Sequence, residues 1–248
     1  MAGYDSYIAG TEQTPYVNLR AWRNSCLFYN PGWQAMFHDK TTSKALLTEH
    51  YSWFLPTWDQ YNTDIVRADS IRPFLLHHYG GLFLDLDVSC FRNVSSFLEG
   101  FDVVLQQSTE YWDHGVINCA MASVPQHPLW LEYARLLPIT AREEDVLKRT
   151  GPPVLAKAVE KHFHLPETIP AGEHKDHQSS VLMVYPVGQF FVACIENDDA
   201  CNQDFVRRLV SGDIPLLQLA GHHRFQHTWF KPAHEENLVQ RLEVKPVR

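Results

Sequence analysis

The stretch YGGLFLDLDV at residues 79–88 decides the fold of this chain of 248 residues. The segment 64–79 before it carries apolar residues near one face of a helix, and the glycine pair 80–81 ends helices because glycine adopts left-handed backbone angles. The run 82–88 starts with apolar residues on both sides of an extended chain and turns acidic at its far end. We therefore expect a helix over 64–79 that leads into a buried central strand.

Segments with the same two kinds of pattern surround this helix and strand. Helical patterns cover residues 43–51, 128–137 and 154–162, and strand-like patterns cover 102–106, 116–122 and 181–186. Their alternation favours an α/β layer architecture. Because no internal repeat, low-complexity tract or Gly/Ser linker interrupts the chain, we expect a single domain over residues 1–248.

Composition and charge exclude several classes of protein. The chain is 45% hydrophobic and 20% charged, which is typical of a folded domain with a sizeable core. The formal charge of −8 and the lack of a Lys/Arg run argue against a nucleic-acid partner. We expect no membrane span, because no apolar stretch approaches the roughly 20 residues that cross a bilayer. Residues 1–10 also lack the basic and apolar regions of a signal peptide.

Cysteine spacing says little about the redox compartment. The five cysteines are Cys26, Cys90, Cys119, Cys194 and Cys201. They show neither a metal-type pair spacing nor a dense disulfide pattern. Among them only Cys194 and Cys201 are close enough in sequence to pair locally; whether they form a bridge stays open, and so does the compartment.

The acidic pair Asp85 and Asp87 is the strongest chemical signal in the sequence. Side chains two residues apart in a strand point to the same face, so we expect both carboxylates to converge on one site. Two close carboxylates repel each other, and a divalent cation beside them removes that repulsion. Mg²⁺ and Mn²⁺ prefer carboxylate and phosphate oxygens, so the pair indicates a metal site that also binds a diphosphate. The alternative is a solvated strand end, where acidic residues are common.

Asp69 and Arg72 form a second polar pair, in the helix before the strand. Residues three apart share a helix face, so one carboxylate and one guanidinium are available for ribose hydroxyls and for phosphate or sugar oxygens. As a surface ion pair, the same residues would contribute little. Pro73 lies in the same segment and crowds the carbonyl of Asp69, so we expect the helix to begin near Asp69 or to bend there.

Residues 65–72 and 79–88 together closely resemble the signature of the glycosyltransferase sugar-binding family that contains the Asp-x-Asp motif. This family includes fungal initiating α-mannosyltransferases, inositol-phosphorylceramide mannosyltransferases and α-1,4 galactosyl- or N-acetylglucosaminyl-transferases. Further landmarks follow in the family's order over about residues 15–230, namely 30–33, 49–61, 118–123, 127–130, 150–152, 220–223 and 228–229. The joint pattern is far more specific than any single motif.

The resemblance implies a GT-A fold, an α/β structure with a mostly parallel central sheet flanked by helices. It also implies a nucleotide-diphosphate sugar donor (GDP-mannose or a UDP-sugar), a glycan or glycolipid acceptor, Mn²⁺ or Mg²⁺ as cofactor, and retention of anomeric configuration. The implied metal ligands are Asp87, Asp85 and His222. The implied donor-binding residues are Asp69, Arg72, Gly80, Gly81, Asp85, Thr228 and Trp229, and the implied catalytic residues are Asp85, Asp87, Asn118 and Arg72.

Two other classes of protein stay open. Family members usually open with a strand that supplies an aromatic for the nucleotide base, and residues 1–10 show no counterpart. One alternative is therefore a nucleotide-sugar-binding pseudoenzyme or binding module. The other is a nucleotide-sugar hydrolase or a nucleotidyltransferase, although the latter needs a Gly-rich phosphate loop near the N-terminus that the sequence lacks. Localisation stays open between a luminal Golgi-type domain and a cytoplasmic viral or bacterial enzyme.

Overall fold

A computed structural model of the protein describes residues 24–108, 115–187, 189–193, 219–223 and 242–246. The helices of these ranges are α1 (Lys40–His50), α2 (Leu55–Gln60), α3 (Asp64–Tyr79), α4 (Ser95–Leu98), α5 (Leu129–Thr140), α6 (Val146–Thr150) and α7 (Pro152–Phe163). The strands are β1 (Trp33–Phe37), β2 (Gly81–Leu84), β3 (Val88–Cys90), β4 (Val103–Gln107), β5 (Val116–Ser123), β6 (Gly172–Lys175), β7 (Val181–Tyr185), β8 (Phe191–Ala193), β9 (Gly221–His223) and β10 (Leu242–Pro246). Ser52–Phe54 form a 3₁₀ turn, and residues 24–29 are also helical.

The strands form two sheets that helices flank, which confirms the α/β class. The larger sheet has the order β1-β10-β2-β5-β4-β7-β6, and the smaller has the order β3-β9-β8. The prediction of a mostly parallel sheet is wrong for the described strands. In the larger sheet β4 and β7 run parallel, whereas the other five neighbouring pairs run antiparallel.

Connection length explains part of this difference. Residues 108–115 join β4 to β5, and residues 176–180 join β6 to β7. Parallel neighbours need a crossover of a dozen or more residues, so these two connections impose antiparallel pairing. The path from β4 to β7 passes through α5, α6 and α7, and this pair is parallel.

Helix α3 runs from Asp64 to Tyr79 without interruption, although Pro73 lies inside it. The predicted start near Asp69 is therefore wrong. Pro73 costs the helix one backbone hydrogen bond, because the carbonyl of Asp69 loses its donor four residues later. Residues 68–77 are buried around the whole circumference of the helix, and this packing offsets the lost bond.

The strand predicted at 82–88 ends earlier than expected. Strand β2 stops at Leu84, and residues 85–87 turn the chain, closed by a hydrogen bond from the N–H of Val88 to the carbonyl of Asp85 at 3.0 Å. We call residues 85–87 the acidic turn. The N–H of Asp85 still donates to the carbonyl of Cys119 on β5 at 2.8 Å. Asp85 and Asp87 thus lie on a turn at the carboxyl end of a buried strand, and the predicted strand geometry for this pair is wrong.

Two apolar cores cover the two faces of β2. Phe83 packs in the larger core with residues of α3, α5 and α7, whereas Leu82 and Leu84 pack in the second core with residues of β3. Alternate residues of a strand point to opposite faces, so the short strand is clamped from both sides. Each such buried side chain stabilises the fold by about 1.5–3 kcal/mol. The acidic turn therefore extends from a firmly packed strand.

A disulfide between Cys26 and Cys90 joins the helical residues 24–29 to β3. The sequence did not reveal this pair, since 64 positions separate the two cysteines and no local motif links them. The predicted Cys194–Cys201 bridge lies outside the described residues. Within the described part of the chain, Cys119 is a free and buried thiol.

Candidate active site

Arg72 is the centre of a buried polar cluster behind the acidic turn. Its NH2 group lies 2.6 Å from Asp69 Oδ1 and 3.0 Å from Asp85 Oδ1. Its NH1 group donates to the carbonyl of Asn118 on β5 at 2.9 Å. The guanidinium carbon also lies 5.1 Å from the ring centroid of Phe83, within cation–π distance. One guanidinium therefore ties α3 to the acidic turn and to β5.

Both carboxylate oxygens of Asp69 contact a polar side chain. Oδ1 contacts Arg72, and Oδ2 accepts a hydrogen bond from the Thr150 hydroxyl at 3.4 Å. Burial raises the pKa of Asp69 to about 6, because desolvation outweighs the attraction of Arg72 and the Thr150 hydrogen bond. Desolvation acts to lower the pKa of Arg72, but the carboxylates of Asp69 and Asp85 outweigh it and raise that pKa. The two side chains therefore form an ion pair at neutral pH.

Thr150 is positioned in turn by Tyr133, a residue of α5 that the sequence did not single out. The Tyr133 hydroxyl donates to the carbonyl of Thr150, the last residue of α6, at 2.7 Å. Both side chains are fully buried, and burial raises the pKa of Tyr133, so its hydroxyl keeps its proton. Thr150 was recognised only as a landmark without a role. A tyrosine on the inner face of a predicted helix does not by itself indicate that its hydroxyl positions a residue of the site.

Asn118 on β5 belongs to the same cluster and is 7% exposed. Its side chain lies next to the Tyr133 hydroxyl, yet its Nδ2 makes no hydrogen bond of standard geometry within the described residues. The Nε of Arg72 likewise finds no acceptor there. A buried donor without an acceptor costs about 1–3 kcal/mol. Within the described residues, these are two donors of the cluster that lack an acceptor.

The cluster and the acidic turn together carry more negative charge than Arg72 neutralises. Asp69, Asp85 and Asp87 supply three carboxylates against one guanidinium. The side chain of Asp85 is 21% exposed and Asp87 is half-buried, so an ion can reach them from solvent. Mg²⁺ and Mn²⁺ prefer carboxylate oxygens of this kind as ligands. The residues present therefore fit the predicted cofactor.

Strand β9 brings the backbone of His222 beside the acidic turn. It pairs with β3, and His222 lies opposite Ser89, the second residue after Asp87. A Cβ atom at Gly221 would lie 2.1 Å from the carbonyl oxygen of Ser89, so this close pairing requires glycine. The role of His222 as a metal ligand stays a prediction, but the strand carrying it does neighbour the site.

Gly80 and Gly81 lie at the other end of β2. Four residues separate Gly81 from Asp85, which is about 13 Å along a strand. Gly80 has a φ of 63°, and a Cβ atom there would lie 2.5 Å from the backbone nitrogen of Pro125. Turn geometry and a close backbone approach account for this glycine. The structure does not bring the pair together with the other predicted donor-binding residues.

Thr228 and Trp229 lie outside the described residues, so their predicted contacts with the donor stay predictions. The other predicted site residues do come together. Asp69, Arg72, Asp85 and Asn118 form one contact network, and Asp87 belongs to the turn that Asp85 begins.

His127, His162 and Asp176 form a second cluster, with candidate metal-ligand atoms within 4.8 Å of one another. Their hydrogen bonds are already satisfied. A backbone N–H donates to His127 Nδ1, so its Nε2 carries the proton and donates to Ser180 Oγ at 2.6 Å. The two nitrogens of His162 lie 2.9 Å from Glu132 Oε1 and 3.2 Å from Asp176 Oδ2. We interpret this cluster as a structural hydrogen-bond network that holds α5, α7 and the β6–β7 turn together.

Comparison with known proteins identifies the region around Arg72. Residues 17–110 match the family model described as "Glycosyltransferase sugar-binding region containing DXD motif". This part of the chain is therefore similar to the sugar-binding region of DXD-type glycosyltransferases. The predicted family resemblance is thereby confirmed. Asp85-Leu86-Asp87 is the one Asp-x-Asp sequence in the matched residues, so the acidic turn is the DXD motif of this region.

Curated relatives of this sugar-binding region include fungal and viral proteins. Mannosyl phosphorylinositol ceramide synthase SUR1 of Saccharomyces cerevisiae is 36% identical over 127 residues, which are 51% of this chain and 32% of that protein. Inositol phosphoceramide mannosyltransferase 2 of Schizosaccharomyces pombe is 36% identical over 133 residues, 49% of this chain and 37% of that protein. Uncharacterized glycosyltransferase L373 of Acanthamoeba polyphaga mimivirus is 29% identical over 126 residues, 50% of this chain and 49% of that protein.

The matches to the two fungal relatives thus span about a third of the length of those proteins. Among solved structures, the PaToxG glycosyltransferase aligns with 61% of this chain and 65% of its own, at a TM-score of 0.44 and 16% identity. None of the helices in the described ranges is long and apolar enough to span a membrane.

Proposed function

We propose that this chain is the catalytic region of a metal-dependent, retaining glycosyltransferase. In this proposal it transfers a hexose from a nucleotide-diphosphate sugar to a hydroxyl group of a glycan or glycolipid. The observation that carries the proposal is the position of Arg72, which Asp69, Asp85 and the carbonyl of Asn118 hold directly behind the DXD motif. A charged network that is buried yet adjoins exposed carboxylates is typical of a site for a polar, anionic ligand.

The names of the relatives guide the choice of substrates. Two of the fungal relatives are named for mannosyl transfer or synthesis with inositol phosphoceramides. We therefore propose GDP-mannose as the first donor to test and an inositol phosphoceramide as the first acceptor. A UDP-sugar donor and a glycan acceptor come second, because the name of the viral relative specifies neither.

The residues of the chain have separate tasks in the proposed reaction. Asp85 and Asp87 would hold Mn²⁺ or Mg²⁺, which when bound offsets the charge of the leaving nucleoside diphosphate. Arg72 supplies a permanent positive charge at a position that its partners have already fixed, so little reorganisation is needed as charge develops. The side chain of Asn118, which lies next to the Tyr133 hydroxyl, would donate from Nδ2 to a sugar oxygen near the reacting carbon.

The family resemblance implies retention of configuration, and this fixes the anomeric configuration that we expect in the product. An α-linked donor should give an α-linked product. An inverting enzyme needs a base on the acceptor side, opposite the leaving group. A retaining enzyme of this type needs no such residue, because the leaving phosphate can take the acceptor proton on the same face.

A donor screen tests the proposal directly. The chain is incubated with Mn²⁺ and with GDP-mannose or one of several UDP-sugars, with and without inositol phosphoceramide, and both the released nucleotide and the glycosylated product are measured. We expect acceptor-dependent nucleotide release and a product whose one-bond C1–H1 coupling is that of an α-linkage. Nucleotide and free sugar released equally without acceptor would instead identify a hydrolase. Donor binding without any release would identify a pseudoenzyme.

A further inference from the structure

The tripeptide Asn93-Val94-Ser95 follows β3 by three residues, and it is the one Asn-x-Ser/Thr sequence without proline in the whole chain. We propose that Asn93 is a site of N-linked glycosylation and that this region folds in an oxidising, secretory-type compartment. An Asn-x-Ser sequence alone is weak, because it occurs by chance in many proteins. Its surroundings in the fold supply two further observations, and neither depends on the proposed transferase activity.

The first observation is the disulfide between Cys26 and Cys90, three residues before Asn93. Both cysteines are buried, and Ser25 Oγ accepts a hydrogen bond from the N–H of Cys90 at 2.9 Å. A disulfide inside a packed core forms and persists where the compartment is oxidising, and it is rare where thiols are kept reduced. Oxidising secretory compartments are also where Asn-x-Ser/Thr sequences meet the lipid-linked oligosaccharide that modifies them.

The second observation is the local shape of the tripeptide. Asn93 and Ser95 are exposed, whereas Val94 between them is fully buried. The N–H of Ser95 donates to Asn93 Oδ1 at 2.8 Å, and the N–H of Val94 donates to Asn30 Oδ1 at 2.9 Å. The acceptor asparagine therefore lies on the surface, as a glycan requires, next to a buried residue that anchors the turn.

The modification is compatible with the contacts that Asn93 makes. Its Nδ2 donates to the carbonyl of Tyr29 at 3.2 Å. In the transfer step Nδ2 forms a bond to the anomeric carbon of a lipid-linked oligosaccharide, the lipid diphosphate leaves, and Nδ2 loses one proton. No oxidant or reductant takes part. One N–H remains on the substituted amide, so the hydrogen bond to Tyr29 survives.

The test uses the full-length native protein isolated from its own cells. Treatment with a peptide N-glycosidase should make the parent protein migrate as a smaller species, and peptide mapping should place the converted residue at position 93. Asn93→Gln should remove this shift. Because that variant also loses the Tyr29 contact, Ser95→Ala provides a second test that keeps Asn93 and should remove the shift as well.

Two further variants serve as matched controls. Ser95→Thr preserves the acceptor sequence and should keep the shift. Asn62→Gln changes an exposed asparagine that lacks a Ser or Thr two positions later, and it should also keep the shift. A parent protein whose migration does not respond to the glycosidase, or a glycan that maps elsewhere, would overturn the proposal. A reduced Cys26–Cys90 pair in the native protein would overturn the proposed compartment.

Discussion

Arg72 and Asp85 contact each other through both carboxylate oxygens, since the NH2 group lies 3.0 Å from Oδ1 and 3.2 Å from Oδ2. Asp85 begins the acidic turn, and Arg72 lies in the middle of α3, so this contact joins the DXD motif to the central helix. The same NH2 group contacts Asp69 at 2.6 Å. Arg72 is therefore fixed before any ligand arrives, and a change at this position should affect both ligand affinity and stability.

Replacing Arg72 by lysine should weaken the site more than its small size suggests. A lysine ammonium lacks the planar fork that reaches Asp69, Asp85 and the Asn118 carbonyl at once. Loss of one charged hydrogen bond costs about 1.5–3 kcal/mol, which corresponds to roughly a ten- to hundredfold fall in kcat/KM. Steady-state kinetics with the donor identified in the screen measure this effect, and urea unfolding measures the accompanying loss of stability.

Arg67→Lys is the matched control, because Arg67 lies on the same helix and pairs with Asp64 at 3.1 Å away from the cluster. It also donates to the carbonyl of Tyr61. We expect Arg67→Lys to change kcat/KM less than twofold while costing at most about 1 kcal/mol of stability. Equal kinetic losses in the two variants would show that Arg72 has no special role at the site.

Removal of Asp87 should stop transfer without unfolding the chain. Asp87 lies on a turn and is only half-buried, so Asp87→Ala leaves both apolar cores intact. Removing a group that organises charge in the transition state costs about a hundredfold or more in turnover. Turnover assays at saturating Mn²⁺ and Mn²⁺-binding measurements should both report the loss, and EDTA should inactivate the parent chain.

The control for this change is Asp59→Ala, which removes an exposed aspartate that pairs with Lys44 at 2.7 Å on the surface. Its activity and Mn²⁺ affinity should match those of the parent. Near-normal turnover of Asp87→Ala, or full activity of the parent in EDTA, would reject the metal-dependent mechanism.

The Tyr133 hydroxyl should matter for turnover although it lies behind the site. Tyr133→Phe removes the hydrogen bond to Thr150 and frees Thr150 to move away from Asp69 Oδ2. We expect a loss of about 1 kcal/mol in stability and a several-fold fall in kcat/KM for the donor. Thr150→Val should have a similar kinetic effect, whereas Thr150→Ser keeps the hydroxyl and should restore most of the activity.

Tyr61→Phe separates this positioning role from a general effect on the core. The Tyr61 hydroxyl is equally buried and donates to the carbonyl of Leu137 at 3.5 Å, but it does not contact Asp69 or Thr150. Its removal should lower the free energy of unfolding slightly and leave kcat/KM unchanged. If Tyr61→Phe and Tyr133→Phe reduced kcat/KM alike, the proposed chain of contacts from Tyr133 to Asp69 would be wrong.

The sequence was a good guide where the determining contacts are local. Helix α3 and the flanking elements could be predicted because apolar spacing and the glycine pair after α3 are local features of the sequence. The direction of the strands could not be predicted, because it depends on distant partners. Strand β10 at residues 242–246 inserts between β1 and β2, and nothing in the sequence of β2 indicates this neighbour. The Cys26–Cys90 disulfide was missed for a similar reason, because its two cysteines are distant in sequence.

Some residues of the candidate site could likewise be found from the sequence and others could not. Asp69, Arg72 and the acidic pair were found from their spacing and from the family motif, and the structure places Arg72 against Asp69 and Asp85. Tyr133 and Thr150 act through a hydroxyl and a backbone carbonyl, which leave no pattern in one sequence. Gly80 was assigned to the donor from the motif, whereas the fold uses it for a turn.

The stability of the fold should decrease in mild acid because of His127. Desolvation is the main cause that lowers the pKa of His127 to about 4, with His162 and His77 acting in the same direction and Asp102 and Asp176 opposing them. His127 therefore takes up a proton near pH 6.5 in the unfolded chain but only near pH 4 in the folded chain. The free energy of unfolding falls as the pH falls through this range. Between pH 7 and pH 5 the loss should be about 2 kcal/mol.

Urea unfolding of His127→Asn at several pH values isolates this contribution. The asparagine carbonyl can still accept the N–H of Leu129, which His127 Nδ1 accepts at 3.3 Å, but it does not titrate. We expect the variant to be less stable than the parent at pH 7, because the bond to Ser180 is lost, and to lose much less stability on going to pH 5. A slope for His127→Asn that equals the parent's would show that His127 has the same pKa in the folded and the unfolded chain and that the acid sensitivity arises elsewhere.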